Sequence, residues 1–216
     1  MKLRVFLLTV TLALFSGASA RAGYQYQFVS GGQVISSAIQ VNQGSTVDIQ
    51  VYLIQTGGSD GLSTSGLNAA GVRLNYSPSG VAQVTAITPN STPIGAFDTA
   101  TTTISTGSTK YARLNLSNEP GGSGPAISPD GRVLLGTFTF SGMSVGSTTV
   151  YASDATSGID NILANGQFLD SMINYSASTI TINVVPEPGT MVLSGLLAVG
   201  IAGGAVRRFR RPATTA

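Results

Sequence analysis

Apolar and polar residues alternate in short runs through the middle of this 216-residue chain. That two-residue period is the mark of strands that bury one face. In the clearest run Val47, Ile49, Val51 and Leu53 share one face, with Asp48, Gln50 and Tyr52 on the other. Val72, Leu74 and Tyr76 repeat the pattern, as do Val81–Ile87, then Ala112, Leu114 and Leu116, then Val133–Phe140, Ser147–Ala152, and finally Ile180, Ile182 and Val184. Turn clusters rich in Gly, Pro, Asp and Ser separate them, among them Gly57-Gly58-Ser59-Asp60-Gly61 and Ser77-Pro78-Ser79-Gly80. No long 3.6-residue period interrupts the series. The pattern predicts an all-β fold, an antiparallel β-sandwich in one domain over residues 23–185.

The two ends read as addresses. Lys2 and Arg4 precede an apolar run from Val5 to Phe15, and small residues then offer A-x-A cleavage sites at Ala20 and Ala22. This predicts a signal peptide over 1–22 and use of the export machinery. At the other end Pro186-Glu187-Pro188 is followed by an uncharged apolar run from Thr190 to Val206 and by Arg207, Arg208, Arg210 and Arg211. As a helix, 190–206 would measure roughly 25 Å, just short of a ~30 Å hydrocarbon core. The arginines mark the cytoplasmic side and place everything before Pro186 outside. Between the addresses, four basic residues (Arg73, Lys110, Arg113, Arg132) face eight acidic ones, a net charge of −4. The basic balance of the whole chain therefore belongs to its ends. No basic stripe interleaved with aromatics exists, and nucleic-acid binding is excluded.

The tail, in its order of Pro-Glu-Pro, apolar helix and arginine cluster over 186–211, resembles the PEP-CTERM sorting signal of Gram-negative-type bacteria. The resemblance implies recognition and removal by an exosortase, an integral-membrane cysteine protease or transpeptidase. It also implies a surface or extracellular-matrix protein made by an exopolysaccharide producer. A plain C-terminal membrane anchor that is never cut is the alternative. In the middle region, Gln43-Gly44-Ser45-Thr46-Val47-Asp48-Ile49-Gln50-Val51, the stretch Leu67–Tyr76 running into Ser77-Pro78, and Gly131–Phe140 with Gly146 resemble strands of a cohesin-like domain. That likeness implies a nine-stranded jelly-roll sandwich related to carbohydrate-binding modules, although Ser77 stands where the cohesin pattern has Asp.

Chemistry is constrained by what the chain lacks. It has no His and no Cys, so the usual nucleophile–base pairs and soft-ligand zinc or copper sites are missing. The cores of exported domains without disulfides must carry their own stability, and about 163 residues suffice. The acidic residues are scattered among turns. Only Asp154-Ala155-Thr156-Ser157-Gly158-Ile159-Asp160-Asn161 gathers oxygen ligands in one loop. Asp154 and Asp160 are the candidate Ca2+ ligands there, and shaping the turn is their other use. Tyr24 and Tyr26, on one face of the first strand, are candidates for stacking on a sugar ring; packing into the core or at a strand edge is the simpler explanation. The expected function is that of an exported, non-catalytic surface or matrix protein, with a carbohydrate-binding module for extracellular polysaccharide as the alternative.

Overall fold

The computed structural model describes residues 23–57, 61–90, 97–105, 107, 110–118, 131–187 and 189. The signal peptide with Ala20 and Ala22, Pro188, the span over 190–206 and Arg207, Arg208, Arg210 and Arg211 lie outside these residues. Among the described residues no helix is long and apolar enough to cross a membrane.

Among the described residues twelve strands form two sheets, where the cohesin likeness implied nine; the surplus includes two strands of only two residues each. The first sheet has the order β2 (Gln33–Val34), β1 (Gly23–Ser30), β4 (Thr46–Thr56), β9 (Arg132–Gly142), β6 (Ala82–Pro89). The second runs β3 (Ala38–Asn42), β12 (Thr179–Val185), β10 (Gly146–Ser153), β5 (Leu67–Ser77), β8 (Tyr111–Ser117), β7 (Thr99–Ile104), with β11 (Ile162–Leu163) beside one end of β5. A five-residue helix, Gly61–Ser65, buries its Leu62 in the core. The expectation of purely antiparallel pairing is corrected at one place: β3 and β12 run parallel, Ala38 opposite Thr181 and Val41 opposite Val184. The chain crosses from the first sheet to the second just before Ala38, so β3 enters the second sheet in the same direction as β12.

The alternation read from the sequence is the inward–outward alternation of the sheets. Phe28, Ile49, Val51, Leu53, Phe138 and Phe140 come from the first sheet, and Val72, Leu74, Leu114, Val150 and Ile182 from the second; all are buried. Each such side chain contributes about 1.5–3 kcal/mol through burial. Tyr76 meets Phe140 edge-on across the sandwich at 5.8 Å between ring centroids, a favoured aromatic geometry. Polar residues take the outside: on the first sheet the Thr139 hydroxyl donates to Asp48 Oδ1 at 2.7 Å, and Arg132 lies over the Tyr52 ring at 4.5 Å.

Candidate functional site

The outer face of the second sheet carries a linked set of recognition-type side chains. Because Val72, Leu74 and Leu114 point inward, their neighbours Arg73, Asn75, Arg113 and Asn115 must point out. Register then aligns them in rows: Tyr151, Asn75 and Tyr111 across β10, β5 and β8, and beside them Ser153, Arg73 and Arg113. The rows are locked together. Arg73 lies over the Tyr111 ring at 4.0 Å and donates from Nε to Asn75 Oδ1 at 3.0 Å; Asn75 Nδ2 in turn donates to Ser153 Oγ at 2.8 Å. Tyr151 is 45% exposed and flanks this network. Side chains already held in place lose little freedom on binding, and Tyr and Arg are the residues that most often anchor partners.

An acidic loop abuts the same face. Here the structure brings Asp154 and Asp160 together and adds Asp170, with one carboxylate oxygen from each lying within 4.8 Å of the others. Asp154 Oδ2 accepts from the Gly158 amide at 2.8 Å, and Asp160 accepts from the Thr156 amide, so both also shape the turn. Burial pushes the Asp160 carboxyl up to about 6, with the adjacent Asp154 carboxylate adding to the rise. Asp160 packs on the backbone of β5 at Gly71, where a Cβ would sit 2.5 Å from that of Asp160. Only glycine allows the approach.

Beneath the cluster lies Asn161, fully buried. β8 flanks β5 on one side at Gly71, but on the other the chain passes from the end of β10 to the start of β11 without a strand there, and the Asn161 amide fills that gap. Its Oδ1 accepts from Gly71 N at 3.3 Å, and its Nδ2 donates to Gly71 O at 3.3 Å and to Asp170 Oδ1 at 2.7 Å. The side chain thus does what a neighbouring strand's peptide would do.

Tyr24 and Tyr26 are corrected. Each is only 2% exposed, which leaves no ring face for a sugar. The Tyr26 hydroxyl donates to Gly71 O at 2.6 Å and its ring lies 5.9 Å from that of Tyr175. Their faces turn inward because β1, paired with β4 along Gly23–Val29, buries the side chains of Tyr24, Tyr26 and Phe28 against the second sheet. Sequence reading missed Asp170, ten residues beyond Asp160 with nothing in the spacing to link them, and it missed the role of Asn161. Of the tail, Pro186 and Glu187 are described; the Glu187 carboxylate lies at the Gly44 turn, 3.4 Å from where a Cβ on Gly44 would be.

No protein-family model matches this chain, and no curated protein matches it. Solved structures do. The third cohesin of ScaC from Acetivibrio cellulolyticus, solved in complex with the ScaB dockerin, is 18% identical, with 75% of this chain and 99% of that one covered at a TM-score of 0.50. The seventh ScaB type I cohesin from Pseudobacteroides cellulosolvens is 11% identical, with 71% and 90% covered, again at 0.50. Residues 23–187 therefore have the fold of a cohesin domain, a two-sheet β-sandwich.

Proposed function

We propose that this chain is an exported, non-catalytic binding protein of the bacterial surface or extracellular matrix, delivered by its PEP-CTERM tail through an exosortase. In this reading it engages a protein partner through the outer face of the second sheet. The observation that carries it is the fixed Arg73–Tyr111–Asn75–Ser153 network, flanked by exposed Tyr151, on a fold whose solved example from Acetivibrio is held in complex with a dockerin. Non-catalytic function is supported by a chain without His or Cys. The same two tyrosines support the second reading, a polysaccharide ligand, since both offer rings on an outer sheet face.

One recovery experiment tests both halves. Protein from the native cells and medium should have an intact mass that ends the chain near Pro186–Pro188; a full-length C-terminus found only in membranes would overturn the sorting. On the isolated matrix, the Tyr111→Ala, Tyr151→Ala double variant should bind about tenfold more weakly than wild type, a loss of ~1.4 kcal/mol. If protease treatment of the matrix leaves binding unchanged and a glycan panel shows saturation, polysaccharide replaces protein as the partner. Equal binding by variant and wild type would remove the face from consideration.

The acidic loop supports a Ca2+ role. Carboxylate and amide oxygens suit this hard cation, and three carboxylates this close repel one another unless a proton or a cation intervenes. Millimolar Ca2+ should raise the melting temperature of wild type by a few degrees and leave an Asp154→Ala, Asp160→Ala variant unmoved. The pH dependence has a definite sign. Asp160 holds its proton more tightly folded than unfolded, so its contribution to stability is full below about pH 4 and declines as pH rises through about 6. Ca2+ must displace that proton, so its effect should shrink on acidification from pH 7 to 5. No Ca2+ shift in wild type at pH 7 would end the idea.

A further inference from the structure

We propose that β7 is a self-association edge: the β7 strands of two copies pair antiparallel about a two-fold axis at Thr102, joining their second sheets into one. The inference is independent of how the chain is sorted and of what its outer face binds.

The other edges of the sandwich are closed to such pairing. In the first sheet β2 is only two residues long, the rest of the β1 edge is taken by the Ser178 hydroxyl at Tyr26 and by the Asn174 amide at Tyr24 O, and β6 carries a bulge between Val84 and Ala86 and ends on Pro89. In the second sheet β3 has five residues, and the chain leaving it is bound to the first sheet by the Gly44 amide donating to Gly142 O at 2.8 Å. These are the ordinary means of blunting an edge. Among the described residues none operates at β7. Its six residues, Thr99-Ala100-Thr101-Thr102-Thr103-Ile104, carry no charge and no proline, and they pair with β8 without a register shift. Four threonines and an isoleucine also give it high strand propensity.

Its outward groups can be assigned. The Ser105 amide donates to Tyr111 O at 2.9 Å, so Ser105 and, by alternation, Thr103, Thr101 and Thr99 direct their N–H and C=O toward β8. Ala100, Thr102 and Ile104 must then direct theirs away from β8, where no described strand pairs with them. Three donors and three acceptors at two-residue spacing are what a second strand requires. On the core-facing side the same three residues lie in line with buried Leu116, Leu114 and Ala112, yet all three are exposed, Ile104 by 36%.

The sequence is complementary to itself in this register. With Thr102 opposite Thr102, Ala100 of each copy lies opposite Ile104 of the other, a small residue against a large one. On the outer face Thr101 lies opposite Thr103, a favourable cross-strand pair. Six backbone hydrogen bonds would form, and no like charges would meet. Such an interface is isologous and closes at two copies, so it does not propagate into fibres.

The chain contains no cysteine, so a single introduced one reports without interference. Opposite hydrogen-bonded residues have Cα atoms about 5.5 Å apart, within disulfide range. The full chain bearing Thr102→Cys, oxidised in mild detergent, should become mainly covalent dimer, whereas Thr149→Cys, on the middle of the same sheet, should remain monomer. In light scattering the wild-type chain should be a dimer at micromolar concentration. Thr102→Pro removes only an outward N–H and should keep the wild-type circular dichroism while shifting to monomer. Equal cross-linking at residues 102 and 149, or a folded Thr102→Pro chain that stays dimeric, would overturn the proposal.

Discussion

Asn161→Ala should lower the unfolding free energy of the domain by about 3–5 kcal/mol, among the largest effects of a single truncation here. The substitution removes few atoms, so the loss is not chiefly one of packing. It strips partners from the Gly71 amide and from the Asp170 carboxylate, which is itself only 7% exposed. The Asp170 carboxylate would be left with poor compensation for its burial, and β5 would have a bare peptide where its neighbour strand is interrupted. Urea unfolding measures this as a fall in midpoint with little change in slope. A loss under 1 kcal/mol would mean that water replaces the side chain easily, and that the knot beneath the acidic loop is not what holds the loop to the sheet.

Phe140→Ala should cost a similar ~3–5 kcal/mol by a different route. Phe140 is fully buried in the first sheet and meets Tyr76 of the second edge-on, so its removal opens a cavity at the sheet interface and also forfeits an aromatic contact. β9 is flanked by β4 and β6 through Val47 and Val84 at this position, and a strand paired on both sides cannot shift to fill the space. Tyr151→Ala, on the outer face, should move stability by no more than about 0.5 kcal/mol. Thermal unfolding of the two variants side by side separates residues that hold the sandwich from residues that face a partner.

The strands with one buried face were legible because burial and sequence period coincide. Ile49, Val51 and Leu53 are fully buried, and the residues between them are not. β3 left only a faint trace: Ile39 and Val41 alternate with polar neighbours, but the run is five residues long and only Val41 is buried, too little to distinguish it from a loop. Its parallel pairing with β12 depends on where the chain crosses between sheets, which no local pattern encodes. For Tyr24 and Tyr26 the period correctly gave a shared face but not its direction, since aromatic residues suit a core and a ligand platform alike. Asp154 and Asp160 came together because one turn holds both. Asp170 joins them only through the return of the chain after β11, and Asn161 acts through a gap in the ladder that exists only once the sheet is assembled.

β12 is the last of the described strands and yet lies inside the second sheet, between β3 and β10. The order of synthesis therefore matters. While Thr179–Val185 has yet to emerge, β3 has no partner in its sheet and waits through most of the making of the domain, and β10, once made, has one side open until β12 arrives. Such long-range closure is slow, and exposed edges are prone to wrong pairing during the delay. A chain stopped before Thr179 would keep both edges permanently. Completion of the sandwich comes at Val185, one residue before Pro186, so the tail follows directly on the step that closes the fold.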